Sequence, residues 1–158
     1  MRTGIGYDVH PFAPKRKLIL GGVEIPYNRG LSGHSDADVL VHSIADALLG
    51  AMGERDLGYH FPETDPQYKN ICSLYLLERI YNMLRQKNFR IINVDSSILA
   101  QEPYLSPYIS KMKNNIAQVL KIEINRVGVK VVSPERLGFL GRKEGIACLS
   151  IATIENLS

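Results

Sequence analysis

Apolar and polar positions alternate or recur at helical spacing along the chain, and this pattern divides it into elements. Residues 2–9 read as a first strand. In "KLILGGVEIPY" (17–27) two short apolar runs flank Gly21-Gly22, the signature of a tight hairpin. "NRGLSGHS" reads as a loop. Val39, Leu40, Ile44, Leu48, Leu49 and Met52 then recur at helical spacing. Ser35 followed by Asp38 resembles a capping box ahead of that helix, and Gly50 and Gly53 mark its end. Residues 54–68, rich in Asp, Glu, Gly and Pro, form a loop of the length that usually carries function. Leu74, Leu77, Ile80, Tyr81 and Leu84 predict a second helix over about 70–87. A long strand follows at 89–101, and then a third helix from "SPYISKMKNNIAQVLK", with Pro107 in its first turn. "RVGVKVVS" is a strand, "PERLGFLGRKEG" a Gly-rich loop and "IACLSIATIENL" the last strand.

This order predicts an α+β fold, a single-layer β-sheet with three helices on one face, in one domain spanning residues 1–158. Val127, Val129 and Val131 alternate with Gly128, Lys130 and Val132, and Ile98 and Ala100 are flanked by Leu99 and Gln101. Both sheet faces are therefore partly apolar. The face without helices is expected to pack against other copies of the chain.

Bulk properties narrow the function. The 158 residues suffice for one core, and 45% hydrophobic and 22% charged residues are ordinary globular values. The net charge of +3 is scattered, and its one cluster, Lys15-Arg16-Lys17, reads as a solvated hairpin loop, so no nucleic-acid partner is expected. No stretch approaches the roughly 18 apolar residues that span a bilayer. Cys72 and Cys148 lie in no metal-binding spacing and are expected to be reduced core thiols. The first strand begins almost at Met1, so a cytoplasmic protein is expected, or a stromal one if a transit peptide has been removed.

The chemistry starts at "GIGYDVH" (4–10). Asp8 and His10 are two apart, so a strand puts both on one face, where carboxylate and imidazole can grip a metal ion together. A third ligand is offered by His42, mid-way along the first helix, with Asp38 and Asp46 each four residues away on its face. Asp46 is placed to take the other N–H of a metal-bound His42. Asp8, His10 and His42 would make an O/N/N site that suits zinc and leaves a fourth position open.

"GIGYDVH", "GLSGHSDADVLVH", "DLGYHFPETDP", "NVDSSILAQEP" and "ERLGFLGRKEGIAC" occur in the order and spacing of the 2-C-methyl-D-erythritol 2,4-cyclodiphosphate synthase family, which the chain resembles from residue 2 to about 153. The resemblance implies a phosphorus–oxygen lyase of the non-mevalonate isoprenoid pathway. Such an enzyme turns 4-diphosphocytidyl-2-C-methyl-D-erythritol 2-phosphate into the cyclic diphosphate and releases CMP. It implies a homotrimer with active sites between subunits. It places zinc, or another divalent cation, on Asp8, His10 and His42, and Mg²⁺ or Mn²⁺ on Glu135 with the substrate phosphates. His34 and Ser133 fall on positions near the phosphates, His34 on one credited with stabilising the transition state. Ser35 matches a further phosphate position, at a helix start where exposed N–H groups attract anions. Asp56, Leu57 and Gly58 match contacts to the erythritol part, as does the loop of Phe61, Pro62, Glu63, Thr64 and Asp65, expected to be mobile until substrate arrives. Its length and an exposed Phe61 favour that role over a plain surface loop. Ala100, Gln101, Glu102, Pro103, Tyr104, Leu105 and Ser106 correspond to the cytidine pocket, offered by the neighbouring subunit. Val132, Pro134, Phe139 and Arg142 match further substrate positions, and Arg142 is the expected partner of an isoprenoid diphosphate in a central cavity.

The chain departs from the family pattern in three places. Tyr104-Leu105 stands where a Lys-Met pair is common, Val132 and Pro134 replace threonines, and Glu63 replaces Asp. Two other readings use the same ligands: a zinc phosphohydrolase working through bound hydroxide, and a structural metal-binding trimer with a closed fourth position, for which His34 is the only nearby candidate.

Overall fold

The computed structural model describes residues 1–157. The strands are β1 Arg2–Pro14, β2 Leu18–Leu20, β3 Val23–Ile25, β4 Arg29–Leu31, β5 Phe89–Leu99, β6 Val127–Val132 and β7 Gly145–Asn156. The helices are α1 Val39–Met52, α2 Leu57–His60, α3 Ser73–Gln86, α4 Ile109–Leu120 and α5 Gly138–Gly141. One sheet runs β4-β1-β7-β5-β6, and β2-β3 stand apart as a hairpin. All pairings in the large sheet are antiparallel except β5 with β6, which α4 connects as a crossover.

The long helices α1, α3 and α4 pack on one face and enclose the core. The opposite face stays open: Ile5 is 65% and Tyr7 53% exposed, and Val9, Leu149 and Ile151 are exposed beside them. The α+β class and the one-sided helix layer are as the sequence predicts. Several short elements are not. β1 runs five residues further than expected, and the predicted loop after the hairpin contains β4, paired to the end of β1. Three-residue strands carry too little periodicity to be read. The 54–68 segment holds α2 and a 3-10 turn at Pro66–Tyr68, each capped by an aspartate, Asp56 and Asp65. The Gly-rich stretch holds α5. Cys148 is buried, but Cys72 is exposed, because it is the N-cap of α3 and not part of its inner face.

Ser35 and Asp38 do not form a capping box. Asp38 is itself the N-cap of α1 and accepts from Val41 N. Its two oxygens also accept from Gly21 N (2.9 Å) and Gly22 N (2.7 Å). These are the turn residues of the β2-β3 hairpin, both at positive φ. One fully buried carboxylate therefore ties the hairpin to the start of α1 and is spent on three backbone donors.

The decisive packing is between β1 and α1. A Cβ on Gly4 would lie 2.0 Å from the Ala47 carbonyl oxygen, and one on Gly6 2.0 Å from that of Ser43. The strand is pressed directly on the helix backbone, and on the helix side only small residues, Ser43, Ala47 and Ala51, face it. Ser150 and Ala152, paired with Gly6 and Gly4, continue the small surface onto β7. Gly6→Ala is expected to destabilise the fold by about 3 kcal/mol, because its methyl would meet a fixed helix carbonyl. Urea denaturation of the variant beside the parent measures this.

Candidate metal centre and active site

Two residues along a strand advance about 6.8 Å, and four residues along a helix about 6.0 Å. The contacts of Gly4 with Ala47–Ala51 and of Gly6 with Ser43–Ala47 therefore continue in step. One further step brings Asp8 opposite the turn of α1 that carries His42. The alternation of β1 keeps His10 on the same face.

The three side chains converge as the sequence predicts. Asp8 Oδ2 lies 2.9 Å from His10 Nε2 and 3.1 Å from His42 Nδ1, and the two imidazole nitrogens are 3.3 Å apart. These atoms form a metal-ligating group. A tetrahedral ion with bonds of about 2.0–2.1 Å separates its ligand atoms by about 3.3 Å, so the donor set fits such an ion with little movement. The outer nitrogens are held as well. His10 Nδ1 donates to the Ser32 carbonyl (2.8 Å), which leaves the Nε2 lone pair facing the centre.

The outer partner of His42 is not Asp46. Its Nε2 lies 2.8 Å from Ser73 Oγ and 3.2 Å from Ser35 Oγ. Asp46 instead accepts from Leu57 N at 2.7 Å and pins the start of α2. Asp38 is also removed from the imidazole, being engaged with the hairpin turn and Val41. Spacing on one helix suggested both carboxylates, whereas the actual partner comes from the first residue of α3, 31 positions away.

The group forms one wall of a cleft of about 200 Å³. His34, Ser35, Asp46, Leu57, Gly58, Phe61 and Glu63 also line it. His34 Nε2 donates to the Asp65 carbonyl (3.3 Å), so the 61–65 loop is hooked to the residue beside the metal group. Phe61, expected exposed, is buried edge-on against Tyr68 at 5.4 Å. Asp56 and Thr64 are exposed and do not line this cleft, and neither do Pro62 or the Asp65 side chain, which caps a turn.

The remaining predicted residues lie elsewhere on the same sheet edge. Asp8 pairs with Cys148, Cys148 with Ile98 and Ile98 with Val131. At about 4.8 Å per inter-strand step, two steps put the end of β5 about 10 Å away and three put the end of β6 about 14 Å away. There Ala100 N donates to the Val132 carbonyl, Glu135 N to Ser133 Oγ and Arg136 N to Gln101 Oε1. Glu102 is held by Tyr27 and Lys143 beside a cis Glu102–Pro103 peptide. Tyr104 is exposed, and Leu105 is fully buried, so only its backbone can face a ligand. Glu135, Ser106 and Phe139 are exposed, Pro134 is half-buried, and Arg142 is paired with Glu144 at 2.8 Å.

A family model described as the YgbB family matches residues 1–155. The chain belongs to the YgbB family. A relative from Caldicellulosiruptor bescii named 2-C-methyl-D-erythritol 2,4-cyclodiphosphate synthase is 56% identical over 153 residues, covering 97% of this chain and 98% of that one. One of the same name from Clostridioides difficile is 51% identical over 160 residues, 99% of each. Among solved structures, the CDP complex of IspF from Plasmodium falciparum aligns with a TM-score of 0.87 at 34% identity, over 99% of this chain and 97% of that chain.

In this YgbB-family chain the electrostatics of the group favour a cation. Burial acts to raise the Asp8 pKa, but the hydrogen bond and charge of His10 outweigh it and hold the carboxyl far below the usual range. Burial acts to lower the His10 pKa, and the hydrogen bond and charge of Asp8 overcome it, so His10 is raised. Asp46 is raised by its burial. A metal ion must therefore displace a proton from His10 and none from Asp8. As pH falls through the raised His10 pKa, protonation competes with binding, so the apparent Zn²⁺ affinity is expected to fall by about tenfold per pH unit. Zn²⁺ titrations from about pH 8 down to about pH 5.5 check the slope, and a flat profile contradicts this assignment of the ligands.

Proposed function

We propose that the chain is a 2-C-methyl-D-erythritol 2,4-cyclodiphosphate synthase, a phosphorus–oxygen lyase of the non-mevalonate isoprenoid pathway, acting as one domain over residues 1–158. The observation that carries this reading is the convergence of Asp8 Oδ2, His10 Nε2 and His42 Nδ1 within 3.3 Å at the wall of a cleft, in a chain of this family. The names of its relatives and the CDP held by a structural neighbour support the choice of substrate.

In the reaction, a 2-phosphate oxygen of 4-diphosphocytidyl-2-C-methyl-D-erythritol 2-phosphate attacks the β-phosphorus. The bond to the α-phosphate oxygen breaks, and that oxygen leaves with its electron pair as part of CMP. No side-chain nucleophile is needed, so the protein works by positioning and charge. Zinc or another divalent cation on Asp8, His10 and His42 supplies charge neutralisation at a phosphoryl oxygen. His34 and Ser35 stand beside that group to meet phosphate oxygens. Leu57, Gly58 and Phe61 shape the wall on which the erythritol part rests, and the 61–65 loop, fastened to His34 through the Asp65 carbonyl, limits water. Glu135 would hold Mg²⁺ or Mn²⁺ together with the substrate phosphates, Ser133 meets the diphosphate, and residues 100–106 receive the cytosine ring.

A diphosphate spans only a few ångströms, whereas the Asp8 group and the Glu135 segment are about 14 Å apart in one chain. We therefore assign the two halves of each site to neighbouring subunits of a homotrimer. The open apolar face of Ile5, Tyr7, Val9, Leu149 and Ile151 supports that assembly. An isoprenoid diphosphate on the trimer axis would meet Arg142 after exchange of its Glu144 partner. No helix of the described residues is long and apolar enough to cross a membrane, and we place the enzyme in the cytoplasm.

Turnover in ¹⁸O-water followed by ³¹P NMR tests the reaction. The expected products are CMP and a cyclic diphosphate without label, whereas label in the diphosphate identifies hydrolysis. His42→Ala is expected to lose metal and activity while remaining folded. Glu135→Gln is expected to keep zinc and to require far more Mg²⁺. Refolding these two variants together, assayed at a Mg²⁺ level too low for Glu135→Gln to turn over alone, should restore roughly one quarter of parent turnover, the share of sites that take an intact half from each neighbour. No recovery in the mixture would place both halves in one subunit.

A further inference from the structure

Resting on the reading of Asp8, His10 and His42 as a metal site, we propose that Ser73, locked by Asp36, is a positioning residue that fixes the ring of His42 for metal binding. Ser73 is the first residue of α3 and is fully buried. A hydroxyl has one hydrogen to donate and lone pairs to accept with. The Ser73 hydroxyl is in close contact with Asp36 Oδ1, and an ionised carboxylate only accepts, so the hydrogen is committed to Asp36. The Ser73 oxygen, 2.8 Å from His42 Nε2, is thereby left as an acceptor. His42 must then carry its proton on Nε2, and the Nδ1 lone pair points at Asp8 Oδ2 and His10 Nε2.

This polarity is not the one the ring would choose unaided. Asp8 Oδ2 sits 3.1 Å from His42 Nδ1 and would draw a proton there, placing N–H where a metal ion must bind. Ser73 offsets that pull from the other side of the ring. Asp36 is fixed in turn. Its Oδ2 accepts from Ser73 N (3.0 Å), its Oδ1 from Asp38 N (3.2 Å), and its own N–H donates to the Ile71 carbonyl (3.1 Å). Ser35 Oγ is a second neighbour of Nε2 but stands further off at 3.2 Å; it accepts from Ala37 N, and its own hydrogen can turn to the Ser73 oxygen 3.5 Å away.

Substituting Ser73 by alanine removes the hydroxyl while leaving the bond from the α3 backbone N–H to Asp36 in place. The test measures Zn²⁺ dissociation constants of the full chain by competition with a chelating dye. Ser73→Ala is expected to bind Zn²⁺ 10- to 100-fold more weakly than the parent, by analogy with the loss of other outer partners of metal-bound histidines. A difference within twofold overturns the role of Ser73, whereas a parent that binds no Zn²⁺ overturns the metal site itself. A second measurement needs no variant. In the metal-free parent, ¹⁵N NMR of the histidine rings should show His42 protonated on Nε2, a signature that a merely structural role for Ser73 does not require. Protonation on Nδ1 overturns the proposal even if Ser73→Ala does not fold.

Discussion

The absence of side chains at Gly4 and Gly6 sets the distance between β1 and α1, and the site depends on that distance. With any larger residue the strand would stand off the helix by the thickness of a methyl group or more. Asp8 and His10 would then no longer reach His42, because short carboxylate and imidazole side chains cannot stretch to follow. The match in rise between two strand residues and one helical turn carries the contact forward in register. The small residues Ser43, Ala47, Ser150 and Ala152 are the complementary part of the same device.

Close backbone packing leaves buried polar groups that need partners, and the junction supplies them in pairs that also build the site. Asp38 satisfies three donors and so fixes the hairpin against the entry of α1. Asp36 satisfies the entry of α3 and lies two residues ahead of Asp38, so three elements meet within one short loop. Neither carboxylate is free to compete with Asp8 for a cation. Asp8 is thus the one carboxylate in direct contact with both imidazoles, which keeps the ligand set small.

The regular elements were legible in the sequence because periodicity reports burial, and burial is what a helix face or a paired strand has in abundance. Val39, Leu40, Ile44 and Leu48 announce α1, and Gly21-Gly22 announce the hairpin. The three-residue β4 and the single turns α2 and α5 were not legible, since one turn or three strand residues hold no repeat to detect. At the site, Asp8, His10 and His42 were readable because two of them share a strand face and the third sits amid carboxylates on a helix. The outer partner was misread for a physical reason. Helical spacing nominates Asp38 and Asp46, but an i±4 neighbour on the same helix lies beside the backbone of His42, whereas the far ring nitrogen points away from α1 into the start of α3. No local pattern in the sequence tells which distant serine will be there. Phe61 was misjudged in the same way, since burial against Tyr68 is a matter of how the loop folds back.

Of the departures from the family pattern, Tyr104-Leu105, Val132 and Pro134 fall where the structure engages backbone groups or leaves the side chain in solvent, whereas Glu63 lines the cleft. Leu105 turns its side chain into the core, so a ligand on this segment meets backbone groups whether Leu or Met is present. Tyr104 projects into solvent. Val132 contributes its carbonyl, which accepts from Ala100 N and fixes the end of β5 against β6, and Pro134 contributes its carbonyl to Leu137 N. By contrast, the carboxylate of Asp8, the imidazoles of His10, His34 and His42 and Ser35 line the cleft, where a ligand meets side chains and not only backbone.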